Sequence, residues 1–130
     1  MKHLSLTENH LFGKAYNNGH RWCGRYTCIF VLKDKAAYRL MRANPQKQYL
    51  NRVGLTVSKK IGGAVVRSRA RRVMRAAYAS LEGRLRQGFI VVISAREGIG
   101  DQKSTDIAAE LARGFGKLSM FANTTTTNTP

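Results

Sequence analysis

Acidic residues are scarce in this 130-residue chain. Seven Asp and Glu stand against 23 Lys and Arg, for a formal net charge of +16. The shortage is uneven. Residues 1–81 carry seventeen Lys and Arg but only two acids, Glu8 and Asp34, and residues 35–81 carry twelve basic residues and no acid at all. A surface that is merely solvated mixes both signs, and here one sign is missing. A charge surplus of this size repels itself and destabilises a lone compact state, so the chain is built to meet a polyanion. Nucleic acid is the first candidate partner and an anionic membrane surface the second.

Other absences narrow the field. No apolar run approaches the roughly 18 residues of a membrane span, and Met1–Glu8 lacks the apolar core of a secretory signal. The expectation is a soluble, cytoplasmic protein with no membrane partner. The two cysteines, Cys23 and Cys28, are then expected as free thiols. His3, His10 and His20 have no Cys or carboxylate partners at ligand spacing, so neither a metal site nor a protein-bound cofactor is expected. The seven acids are scattered, whereas phosphodiester hydrolysis usually needs clustered carboxylates or a His pair. Glu97/Asp101 reads as a loop pair because Gly98 and Gly100 interrupt it, and Asp106/Glu110 reads as a solvated helix face. Gly62-Gly63 lacks both the Walker ending and the Gly-x-Gly-x-x-Gly spacing. The sequence therefore points to binding, with no catalytic residues of its own and no small-molecule substrate.

A hydrophobic fraction of 43% supports a packed core, and the length fits one domain, at 1–122. The Thr-rich residues 123–130 read as a disordered tail. Leu11, Phe12, Ala15 and Tyr16 recur at helical spacing and predict a helix over 7–17, with Thr7 as N-cap and Gly19 as the stop. Residues 25–32 predict a strand that puts Tyr26, Cys28, Phe30 and Leu32 on one face and Thr27, Ile29 and Val31 on the other. Residues 33–51 read as a basic connection broken by Pro45. Strands are predicted at 52–57 and 89–93, and a helix capped by Ser104 or Thr105 runs to about Leu118.

The most informative segment is 58–81. On a helix over 64–81, Val66, Ala70, Val73, Met74, Ala77 and Leu81 share one narrow apolar stripe, while Arg67, Arg69, Arg71, Arg72 and Arg75 wrap the remainder. Arg67 to Arg75 spans roughly 12 Å of axis, enough to meet several phosphates. Arginine suits that task because its planar fork grips phosphate with two hydrogen bonds and also stacks on bases. Gly62-Gly63 lets a phosphate approach the helix N-terminal amides. The stripe has no Trp or Phe, unlike a membrane-surface helix.

The run Arg52-Val-Gly-Leu-Thr-Val-Ser-Lys-Lys-Ile-Gly-Gly-Ala-Val-Val-Arg-Ser-Arg-Ala-Arg-Arg72 resembles the signature of the protein subunit of bacterial ribonuclease P. Arg67-Ser68-Arg69 stands where that family has Arg-Asn-Arg, with Ser68 replacing the Asn. Asn9–Gly19, with Phe12 and Tyr16 four apart, resembles the family's opening helix. The similarity spans about residues 4–118 and departs at 33–51 and in the tail. It implies an α+β sandwich: a roughly four-stranded mixed sheet, three helices and a left-handed βαβ crossover. It also implies an RNA partner that is the catalyst and removes 5′ leaders from precursor tRNA with magnesium. By position, Lys59, Lys60, Arg67, Ser68, Arg69, Arg71, Arg72 and Arg75 would face the catalytic RNA. Phe12, Tyr16 and Phe30 would line a cleft for the single-stranded leader, consistent with the sequence-tolerant stacking of bases on aromatic faces; plain core packing is the competing reading of the three. The competing reading is a structural RNA-binding protein of ribosomal type. A DNA-binding module is less consistent, because no second helix stands at helix-turn-helix spacing.

Overall fold

The structure, a computed structural model, describes residues 3–122; the Thr-rich tail expected at 123–130 lies outside the described residues. Five strands form one mixed sheet: β1 (His3–Ser5), β2 (His20–Cys23), β3 (Thr27–Lys33), β4 (Asn51–Thr56) and β5 (Phe89–Ala95). Their spatial order is β1-β4-β5-β3-β2. β4 runs parallel to both β1 and β5, and β3 is antiparallel to both β5 and β2. Among the described residues four α-helices accompany the sheet: α1 (Asn9–Asn18), α2 (Ala37–Ala43), α3 (Ala64–Leu81) and α4 (Ser104–Lys117). The architecture is the expected α+β class, with one strand and one helix more than the four and three inferred from sequence.

Helices cover both sheet faces. On one, Ile29, Val31, Val53, Val91 and Ile93 pack against Ala70, Met74, Ala77 and Tyr78 of α3 and Ile107, Leu111 and Phe115 of α4. On the other, Phe30, Ile90 and Val92 pack against Leu6 and against Leu11, Phe12 and Ala15 of α1. The strand alternation read for 25–32 is what splits the core into two clusters, except at Tyr26, which precedes β3 and packs with the Ile29 cluster instead of the Phe30 face. β5 lies between β4 and β3, and its Val91, Val92 and Ile93 are fully buried. That is why its sequence is continuously apolar. The β4–α3–β5 segment forms the parallel βαβ crossover.

Several local expectations are corrected. Residues 33–51 are not only a connection, because they contain α2. That helix buries none of its residues, so no apolar periodicity marks it. Thr7 does not cap α1: the N-cap position is Glu8, and the Glu8 carboxylate turns instead to Arg52. Neither Ser104 nor Thr105 caps α4, whose N-cap position is Lys103. Cys23 and Cys28 are not free thiols: they face each other across the β2–β3 ladder and form a disulfide, with Cα atoms 4.0 Å apart.

Glu110 is not a solvated face residue. It is 3% exposed and reaches from α4 to the β2–β3 turn. Its carboxylate accepts hydrogen bonds from the backbone amides of Arg25 (3.0 Å) and Tyr26 (3.0 Å) and from the Thr27 hydroxyl. The buried charge is satisfied by this concentration of donors, as buried charges must be.

Candidate nucleic-acid interface

The arginine helix forms over the span the sequence predicts, Ala64–Leu81. Its buried residues are Ala70, Val73, Met74, Ala77, Tyr78 and Leu81. Val66, placed on the stripe by periodicity, is instead exposed in the first turn, beyond the edge of the core. Tyr78 is the buried residue the stripe missed. Its hydroxyl accepts a hydrogen bond from Asn51 Nδ2 (3.2 Å), and burial pushes its pKa up to about 12.

Lys59 and Lys60 are exposed on a single 3-10 turn, Lys59–Ile61, that leads into α3. Gly62 follows with φ +153°, a conformation that favours glycine. Gly63 occupies the N-cap position, and a Cβ built there would meet nothing within 4 Å. The first turn of α3 is therefore sterically open.

The arginines divide by face. Arg67, Arg71 and Arg75 succeed one another at i, i+4 and i+8 and so form one row. Arg71 and Arg75 line a cavity of about 240 Å³ together with Phe12, Gly54, Leu55 and Tyr78. This cavity joins the arginine row to the neighbourhood of α1. Ser68 and Arg72 are exposed on the outer surface of α3. Arg69 lies on the other flank, where its Nε donates to the Gly100 carbonyl at 2.8 Å. Part of that side chain therefore pins the segment after β5.

Phe12, Tyr16 and Phe30 come together between α1 and the sheet. Phe30 is 9% exposed and packs in the core beneath Tyr16, with ring centroids 4.8 Å apart and planes at 86°. Tyr16 is 41% exposed. Its hydroxyl lies 3.4 Å from Thr56 Oγ1, which in turn pairs with Ser94 Oγ at 2.7 Å. Phe12 lies directly over β4, where a Cβ on Gly54 would sit 2.5 Å from the Phe12 ring. Glycine at 54 is what admits that ring. Of the three aromatics, Tyr16 presents the most surface.

A residue not singled out from sequence holds this arrangement. Arg52 on β4 is buried and grips Asp34 with two hydrogen bonds of 2.7 Å, and reaches Glu8 at 3.1 Å. The bonds to Asp34 outweigh burial and hold the guanidinium even more firmly protonated than usual. The Glu8 carboxyl sits below the ordinary carboxylate range, first through hydrogen bonding to its own backbone amide and also through the Arg52 charge. Both acids of residues 1–81 are thus spent on one internal cation. Among the described residues, the exposed Lys and Arg of that half make no ion pair.

The ribonuclease P family profile matches residues 1–119. The chain belongs to the ribonuclease P protein family. Among relatives, it is 33% identical to the ribonuclease P protein component of Clostridioides difficile over 97 residues, 74% of this chain and 75% of that one. It is 31% identical to that of Lachnoclostridium phytofermentans over 107 residues, 82% of each chain. In fold it is similar to the Staphylococcus aureus RNase P protein, with a TM-score of 0.72 at 21% identity, covering 93% of this chain and 100% of that one. The Thermotoga maritima RNase P protein is similar with a TM-score of 0.64 at 18% identity, covering 87% and 94%. Among the described residues no helix is long and apolar enough to cross a membrane.

Proposed function

We propose that the chain is the protein subunit of a ribonuclease P ribonucleoprotein, which binds a catalytic RNA and the 5′ leader of precursor tRNA and assists removal of that leader. Family membership supports the coarse reading. The observation that carries the finer one is the joining of two unlike surfaces, the arginine row of α3 and the aromatic cleft of α1, through the cavity lined by Arg71, Arg75 and Phe12. The row suits a folded RNA, where guanidinium forks meet backbone phosphates. The cleft suits an unpaired strand, where Tyr16 offers a face for stacking.

In this reading Lys59, Lys60, Arg67, Ser68, Arg71, Arg72 and Arg75 face the catalytic RNA. Arg69 does so with the nitrogens not engaged by Gly100. Phe12 and Phe30 shape the cleft under Tyr16. The protein binds and positions; the bond is cut by the RNA with magnesium. The working compartment is the cytoplasm, where precursor tRNA is made. The test is to sequence the RNA that co-purifies with the full chain. One discrete structured RNA together with precursor tRNA is the expected result. Ribosomal RNA alone would favour a structural ribosomal role and overturn the proposal.

A further inference from the structure

A second basic groove lies on the α1 side of the sheet, across α1 from the aromatic cleft. It is an open hollow of about 550 Å³ between α1, the end of β3 and α2. Its floor is apolar, Leu32 and Ile90, a directly paired couple on β3 and β5. Its rim carries Lys14 from α1, Lys33 and Lys35 from the end of β3, and Arg39 from α2. All four are exposed, and among the described residues none makes an ion pair. Arg52, Asp34 and Glu8 close one end as an internal cluster with one negative charge in excess. The groove as a whole keeps an excess of three positive charges.

We infer that this groove is a second contact for the precursor's single-stranded leader, beyond the aromatic cleft; the inference rests on the ribonuclease P reading above. Uncompensated cations around an apolar floor suit a phosphate backbone carrying unpaired bases, whose faces meet the floor, rather than a lone small anion. The groove's position selects the leader over the catalytic RNA. Leu32 on its floor and Phe30 under the cleft are two residues apart on β3, about 7 Å along one face of the strand. Only α1, roughly 10 Å across, separates the two openings. The arginine helix lies on the opposite sheet face. A leader long enough to leave the cleft meets this groove next.

The test uses holoenzyme reconstituted from the full chain and a ribonuclease P RNA. Two precursor tRNAs differ only in leader length, one ending within the aromatic cleft and one extending well beyond it. The variant is Lys33→Gln/Lys35→Gln/Arg39→Gln, all exposed positions outside the core. Wild-type holoenzyme should bind the long leader more tightly than the short. For single strands each lost phosphate contact removes about 0.7 from the log–log salt slope. The triple variant should therefore lower the long-leader slope by about 2, removing roughly fifteenfold of the affinity change between 50 and 200 mM salt. The short leader should be unaffected. Lys14→Gln alone, from the opposite wall, should lower the long-leader slope by about 0.7, which guards against misfolding of the triple variant. Equal losses on both leaders, or none on either, would overturn the groove assignment. A wild-type chain that brings no ribonuclease P RNA to either precursor would instead sink the underlying reading, and the groove with it.

Discussion

Tyr16 and Phe30 touch each other, and their substitutions should nevertheless read out differently. Tyr16 is 41% exposed and stands edge-on to the buried Phe30 ring at 4.8 Å. Tyr16→Ala forfeits an aromatic pair, about 0.5–1.5 kcal/mol of stability beyond its area term. It also removes the open stacking face, and stacking on an aromatic is worth about 1–3 kcal/mol per base. Holoenzyme carrying this variant should lose roughly 5- to 150-fold in affinity for a precursor whose leader fills the cleft. A precursor with a leader too short to reach Tyr16 should lose nothing. Tyr16→Phe keeps the ring and gives up only a long hydroxyl contact, so it should behave like wild type. Phe30→Ala truncates a core residue and should cost about 3–5 kcal/mol in denaturant unfolding. The assay is equilibrium binding of the leader-length pair, run beside chemical denaturation of each free variant. A Tyr16→Ala penalty that ignores leader length would refute the stacking role. A Phe30→Ala protein as stable as wild type would refute the packing described for it.

Arg52→Met should leave Asp34 buried without its partner and lower unfolding free energy by about 3–5 kcal/mol, measured by denaturant titration. An effect under 1 kcal/mol would mean that the Arg52–Asp34 pair is not a structural anchor. Tyr78, held neutral by burial with a pKa of about 12, contributes stability that is fully present below pH 10 and is lost as pH rises from 10 to 12. The loss should be on the order of 3 kcal/mol, absent in Tyr78→Phe, and visible by following unfolding against pH. On α3, Arg67→Gln/Arg71→Gln/Arg75→Gln should lower the salt slope for the catalytic RNA by about 2 to 3, at roughly 0.9 per duplex phosphate contact. The matched control Lys103→Gln/Arg113→Gln/Lys117→Gln at α4 should leave the slope unchanged, and equal effects of the two triples would mean that charge alone, not the α3 face, drives binding.

The elements that could be read from sequence were those whose packing imposes a period. α3 sets an apolar stripe against the sheet, and β5 is buried on both faces, so each writes its environment into its residues. β3 alternates because its two faces meet different helices. β1 has three residues and β2 is a four-residue edge strand of mixed exposure, too little for a period to appear. α2 escaped because it buries nothing. The glycines of α4, which count against a helix by propensity, have a tertiary reason in one case: a Cβ at Gly114 would lie 2.4 Å from the Trp22 ring. Glu110 read as a surface acid because its donors, the amides of residues 25 and 26, are some 85 residues away in sequence. The basic and aromatic residues of the candidate site were singled out by composition and resemblance. Arg52 was not, because nothing local distinguishes this internal arginine from the other eleven basic residues of its stretch.

The claim that this chain binds and positions while RNA cuts is tested most directly by reconstitution. Rigorously RNA-free protein, a ribonuclease P RNA and precursor tRNA are combined with magnesium, each component also being omitted in turn, and 5′ cleavage is measured. Protein alone should cleave nothing, and adding it to the RNA should raise cleavage of the leader-bearing precursor at limiting magnesium. Magnesium-dependent cleavage by the protein alone, or no effect of the protein on the RNA's activity, would contradict the account.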